Sequence, residues 1–104
     1  MRYKIKRKPK IEVAQFYQHV IGKYRHTYSV QQMHKNIDEA IDSMFLIEQS
    51  LLRRQPILKR WQNEGWHMAH AGKWYYAYTI SDDTITIEDA CHEQNMHEEQ
   101  LTNS

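Results

Sequence analysis

Near the N-terminus, Tyr3 and Ile5 alternate with Lys4, Lys6 and Lys8, and this period of two predicts a half-buried strand over Arg2 to Lys8 that ends at Pro9. Helical spacing then takes over. Ile11, Ala14, Tyr17, Ile21 and Tyr24 recur every three or four residues, which predicts a helix of about four turns running to Gly22 and the polar residues beyond it. A stronger stripe follows, in which Val30, Met33, Ile37, Ala40, Met44, Ile47 and Leu51 alternate steps of three and four and Ile41, Phe45 and Leu52 widen the apolar face. Ser29, with Gln32 three residues later, forms a capping box at its start. Arg53 and Arg54 suit the carbonyl end of the helix, and Pro56 limits its extension.

From Gly65 the period returns to two. Aromatic and β-branched residues dominate Trp66–Ile80 and Thr84–Ile87, while Ala71-Gly72 and Ser81-Asp82-Asp83 supply turn residues, so three strands joined by two tight turns are expected. Alternation puts Trp74, Tyr76, Tyr78 and Ile80 on one face, the better core candidate, and Tyr75, Ala77 and Thr79 on the other. The order β-α-α-β-β-β predicts an α+β fold with a helical hairpin packed on one face of a mainly antiparallel sheet. A coiled-coil seam is the alternative for the second helix, but its stripe is wide for that. The methionines in the stripe read as core rather than as a ligand groove.

The chain of 104 residues is long enough for one core and buries roughly two thirds of its unfolded surface. One cysteine, Cys91, rules out an internal disulfide and suits a reducing cytoplasm. The charged N-terminus lacks the apolar region of a signal peptide, and no run approaches the ~20 apolar residues of a membrane span. A soluble, cytoplasmic protein is expected.

The net charge of +1 conceals an asymmetry: six of the first ten residues are Lys or Arg with no acid among them, and no Lys or Arg follows Lys73. A basic strand carrying Lys4, Lys6 and Lys8 fits contact with phosphates. Lysines on an edge strand also discourage sheet-to-sheet aggregation, which is the purely structural alternative.

Three histidines lie on or beside the predicted C-terminal strands: His67, His70 and His92. With an ordinary pKa near 6.5, histidine serves as acid or base at neutral pH, and metal-free RNA cleavage needs both, together with a cation beside the phosphate. Lys73 or Arg54 supplies that cation. With seven histidines in the chain, some are bystanders. Six of the twelve aromatics fall between Trp61 and Tyr78, and Tyr75, on the face away from the core, is the best candidate to stack a base. No metal or other cofactor is expected: His67 and His70, three apart on a strand, point to opposite faces, as do the neighbours Cys91 and His92, and His92 and His97 straddle the strand end. The three glycines form no phosphate-binding loop.

The succession of basic strand, Pro and helix, long second helix, and a meander carrying Gly72-Lys73-Trp74-Tyr75-Tyr76-Ala77-Tyr78-Thr79-Ile80, an acidic turn and a last strand ending in His92 resembles the RelE/ParE superfamily of bacterial type II toxin-antitoxin toxins, proteins also described as plasmid stabilisation proteins. The resemblance covers about residues 2 to 97, and so implies one toxin domain over 1–97 with a polar tail at 98–104. It further implies a sheet with helices on one face and an active cleft on the other, a cognate antitoxin partner, and a toxin-antitoxin hetero-oligomer. RelE-like members cut messenger RNA on the ribosome as metal-independent endoribonucleases, whereas ParE-like members inhibit DNA gyrase. Many RNase members carry Arg where this chain has Tyr75. The YafQ-like subgroup uses histidines instead, and the positions matching its functional residues are His70, Lys73 and His92, with an acid in the subgroup where Lys73 stands here. Ribosome-dependent mRNA cleavage is therefore the leading expectation. A gyrase inhibitor, or an inactive chain kept as an antitoxin-binding or operator-binding partner, is the alternative. His92, at a strand end, is expected to bury little.

Overall fold

In the computed structural model, which describes residues 2–47 and 56–96, the chain runs β1 (Arg2–Ile5), α1 (Arg7–Lys23), α2 (Val30–Met44), α3 (Lys59–Asn63), β2 (His67–Ala71), β3 (Trp74–Ser81) and β4 (Thr84–His92). The fold is α+β, with one mixed sheet ordered β1-β4-β3-β2 in which β1 runs parallel to β4 and the other pairings are antiparallel. Arg53, Arg54, Leu51, Leu52, His97 and the tail at 98–104 lie outside the described residues.

The two hairpins close where turn residues stand. Gly72 takes a φ of +63° between the paired residues Ala71 and Trp74, and Asp82 takes 54° between Ser81 and Thr84. Two-residue hairpin loops need such left-handed positions, which glycine, aspartate and asparagine adopt most readily.

One face of the sheet carries α1 and α2. Trp74, Tyr76, Tyr78, Ile85, Ile87 and Ala90 meet Val13, Tyr17, Ala40 and Met44 there, and Tyr3 and Ile5 pack against their edge. The tyrosines and the tryptophan join the layers with polar bonds as well as area. The Trp74 indole N–H donates to the Tyr17 hydroxyl at 3.1 Å, and the Tyr76 hydroxyl donates to the Ala40 carbonyl at 2.8 Å, so β3 is tied to both helices. Burial raises the pKa of both tyrosines above the ordinary value, which keeps them neutral donors.

Several boundaries differ from the pattern-based expectation. β1 stops at Ile5, and Lys6 occupies the N-cap position, without a side-chain bond, of a helix that already includes Lys8 and Pro9, so Lys8 belongs to α1 and not to a strand. Pro9 costs nothing there because first-turn amides have no helical acceptor to lose. α1 turns Pro9, Val13 and Tyr17 inward and leaves Ile11, and Tyr24 at its C-cap, exposed, so the buried stripe is rotated from the predicted one. In α2 the Ser29 hydroxyl accepts from the Gln32 amide at 3.0 Å, but the Gln32 side chain donates to Asn36 rather than closing the capping box. The regular helix ends at Met44, with a turn at residues 45–46.

The second face of the sheet is covered too, contrary to the expectation of helices on one face only. Leu58 and Trp61 from α3 and its entry pack on Met68, Ala77, Cys91 and Met96. A five-residue helix is too short to leave a periodic stripe, which is why the pattern did not reveal it.

β3 and β4 slip register between Ala77 and Tyr78: Ala77 pairs with Asp89 and Tyr78 with Ile87, leaving Glu88 as an extra residue. The bulge lets two consecutive carboxylates meet cations from the start of the chain. Glu88 pairs with Lys6 at 2.5 Å and accepts from the Thr79 hydroxyl at 2.9 Å. Asp89, with no exposed surface, accepts from the Trp61 indole N–H and the Ala90 amide, each at 2.8 Å, and faces Lys8 at 3.4 Å and Arg60 at 3.5 Å.

Asp89→Ala should destabilise the fold by about 2–4 kcal/mol, because it strands a buried indole N–H and removes the charge that compensates two cations. Lys8→Ala, at an exposed partner, should cost under ~1 kcal/mol. Urea unfolding of both variants checks this, and equal losses would disprove the asymmetry.

Candidate functional site

An open cleft of about 1050 Å³ lies at the end of the sheet where β3 begins and β4 finishes. α1 contributes Glu12, Phe16, His19 and Lys23, a helical spacing of four, three and four residues that lines one wall with mixed chemistry. Glu39 of α2 faces the cleft from a second side, the Gly72-Lys73 turn from a third, and residues 92–95 complete it.

His92 lines it from the end of β4. Strict alternation from Ile85 and Ile87 would direct Cys91 inward with them and His92 outward, but the extra residue at Glu88 reverses the phase. Ala90 therefore joins the α1/α2 core, Cys91 joins the α3 side, and His92 turns toward α1. Its ring stacks on Phe16 at 4.0 Å with 12° between planes and meets the edge of Trp74 at 5.1 Å. Only 5% of the residue is exposed, so the expectation that a strand-end histidine buries little is corrected. The Gln94 amide donates to Nδ1 at 3.2 Å, which makes His92 the cap of the helical residues 93–96. Burial lowers its pKa below the ordinary 6.5, nearby Lys73 acts in the same direction, and Glu93 partly opposes them. Burial therefore favours the neutral ring.

Lys73 is exposed in the turn, and its carbonyl accepts from the Glu93 amide at 2.9 Å, so this turn and the segment after β4 are held together. Of the residues singled out from sequence, the cleft brings together His92 and Lys73. His70 is on the opposite face, stacked on its cross-strand partner Tyr75 at 4.3 Å and 12°, with Nε2 3.8 Å from the Glu93 carboxylate. Glu93 links that pair to the rim of the cleft. Tyr75 is half-buried against the α3 cluster rather than free. His67 sits at the other end of β2 beside Tyr78, with ring centroids 5.5 Å apart, and does not line the cleft.

The basic residues also separate. Lys4 is exposed on the edge strand β1, while Lys6 and Lys8 face Glu88 and Asp89. None of the three lines the cleft, and Arg54 lies outside the described residues. Phe16, Gln94 and Glu93 were not foreseen. The first is visible in retrospect as a member of the Glu12, Phe16, His19, Lys23 stripe; the other two act through a backbone amide and a turn contact that leave no mark on a sequence.

Among the described residues, no group of three His, Cys, Asp or Glu is arranged to hold a metal ion, and no helix is long and apolar enough to cross a membrane. Comparison with models of known protein families and with curated proteins returned no match.

The low pKa of His92 makes stability pH-dependent. The unfolded chain takes up this proton first as pH falls below 6.5, so the contribution present above that pH is lost on acidification down to the folded-state pKa. Urea unfolding at several pH values should show His92→Gln with a shallower acid limb than the parent. Identical limbs would mean that His92 titrates normally.

Proposed function

We propose that the protein is a toxin of the RelE/ParE kind and that it cleaves messenger RNA on the ribosome at the cleft holding His92 and Lys73. The observation that supports this reading is the convergence of a buried histidine and a lysine at the end of β4, two of the three positions that the family resemblance marks as functional. Phe16, Trp74 and His92 give the cleft an aromatic wall, and Lys73 and Lys23 give it cations suited to a phosphodiester. His70 contributes indirectly in this reading, through Glu93 at the rim. The cell would need a cognate antitoxin to hold such an activity in check.

One observation favours the gyrase-directed alternative. Lys6 and Lys8, the cations that sequence reasoning assigned to RNA, face carboxylates of their own chain.

Inducing the chain without an antitoxin should arrest bacterial growth. Primer extension should then reveal new, translation-dependent mRNA ends while DNA supercoiling stays normal. His92→Ala and Lys73→Ala should each lower cleavage by about 100-fold, the scale for losing a positioned donor or charge. Broken or relaxed DNA without new RNA ends would support the gyrase reading, and unimpaired growth with soluble protein would support an inactive partner.

A further inference from the structure

His92 has two ring nitrogens, and the structure assigns them different tasks. Nδ1 accepts the Gln94 amide at 3.2 Å. A nitrogen that accepts from an N–H carries a lone pair, so the proton of the neutral ring is on Nε2. Phe16 stacked at 4.0 Å and Trp74 set edge-on at 5.1 Å pack against the ring and orient its plane. Nε2 has no hydrogen-bond partner among the described residues, and none of their fully buried side-chain nitrogens is unsatisfied, so Nε2 keeps some contact with solvent. His92 lines the cleft together with Lys73, which is close enough to act on the ring electrostatically.

We propose that His92 works in this cleft as a neutral hydrogen-bond donor through Nε2–H, beside the positive charge of Lys73, and that the two form a subsite for a phosphate group. Phe16 and the Gln94 amide are positioning groups that fix the ring. The part of this inference that concerns RNA cleavage rests on the function proposed above; the tautomer and the phosphate subsite do not. Accepting a proton would require Nδ1 to become a donor facing another donor, with loss of the cap on residues 93–96. A base that must break its own anchor to accept a proton is poorly built for proton transfer, whereas a fixed donor needs no reorganisation. Glu93 from the segment after β4, Glu12 and His19 from α1 and Glu39 from α2 also border the cleft. Proton transfer would fall to one of those or to the substrate's own environment.

Long-range nitrogen-proton NMR spectra of the full chain at pH 7.5 read the tautomer directly. The expected pattern is an unprotonated Nδ1 and a protonated Nε2, and a protonated Nδ1 or an averaged pair would overturn the assignment. Titration with inorganic phosphate should shift the Nε2 and Lys73 signals in the parent and leave Nε2 unmoved in Lys73→Ala. No shift in the parent would overturn the subsite whether or not the chain cuts RNA. In a cleavage assay on purified ribosomes, His92→Gln, whose amide reaches the Nε2 position, should retain activity within about tenfold. His92→Asn, which restores the cap but cannot reach the cleft, should lose about 100-fold. Equal loss in both, with both folded by thermal melting, would overturn the donor role. An inactive parent with the expected NMR pattern would count against the proposed function alone.

Discussion

The carboxylate of Asp89 is the point at which three parts of this chain meet. It lies on β4 without exposed surface, and its two oxygens take up the indole of α3 and a neighbouring amide while Lys8 of α1 and Arg60 of α3 stand beside it. A buried anion is costly unless its lone pairs are filled and its charge is opposed, and here both conditions are met from elements far apart in sequence. The second face of the sheet is thereby fastened to the first turn of α1. The arrangement also answers a problem at that turn, where Arg7, Lys8 and Lys10 place positive charge at the positive end of a helix that has no acid in its first turn. Glu88 and Asp89 supply the missing negative charge from the neighbouring strand.

The bulge at Glu88 makes that arrangement possible, and it has a second effect farther along the strand. Beyond the extra residue every side chain of β4 exchanges faces. His92 consequently stacks on Phe16 of α1, whereas His70 and Tyr75 stay on the α3 side. Two histidines that sit near one end of the sheet are thus in different environments. One is buried and caps residues 93–96; the other is exposed and near a carboxylate. One inserted residue sets that difference.

The sequence carried much of this in readable form. Alternation at Trp74, Tyr76 and Tyr78 marked the inward face of β3, Gly72 and Asp82 marked the hairpins, and the spacing of Met33, Ile37, Ala40 and Met44 marked α2. Each signal is local, repeated and backed by burial of apolar area. What was not readable depended on single events or on distant partners. Nothing in Thr84 to His92 announces a bulge, because an extra residue becomes visible only against the strand it pairs with. Trp61 gave no helical period in five residues, and its role needs Asp89, twenty-eight positions later. The lysines of the first ten residues suggested an external anion, although the carboxylates that two of them meet belong to β4.

That internal pairing changes what the cleft needs to hold an anion. With Lys6 and Lys8 directed at Glu88 and Asp89, and with Glu12, Glu39 and Glu93 bordering the same space as Lys23, Arg60 and Lys73, the cleft has no uniform positive field. Long-range steering is weak in such a mixed site, and screening by salt reduces it further. Retention of a phosphate in this open cleft must then come from contacts made at hydrogen-bond distance. A rigid neutral donor beside Lys73 suits that setting, because its strength depends on direction rather than on net charge. The rigidity of His92, held by Phe16, Trp74 and the amide of Gln94, is therefore a property the cleft requires. It is also the property that the bulge at Glu88 creates.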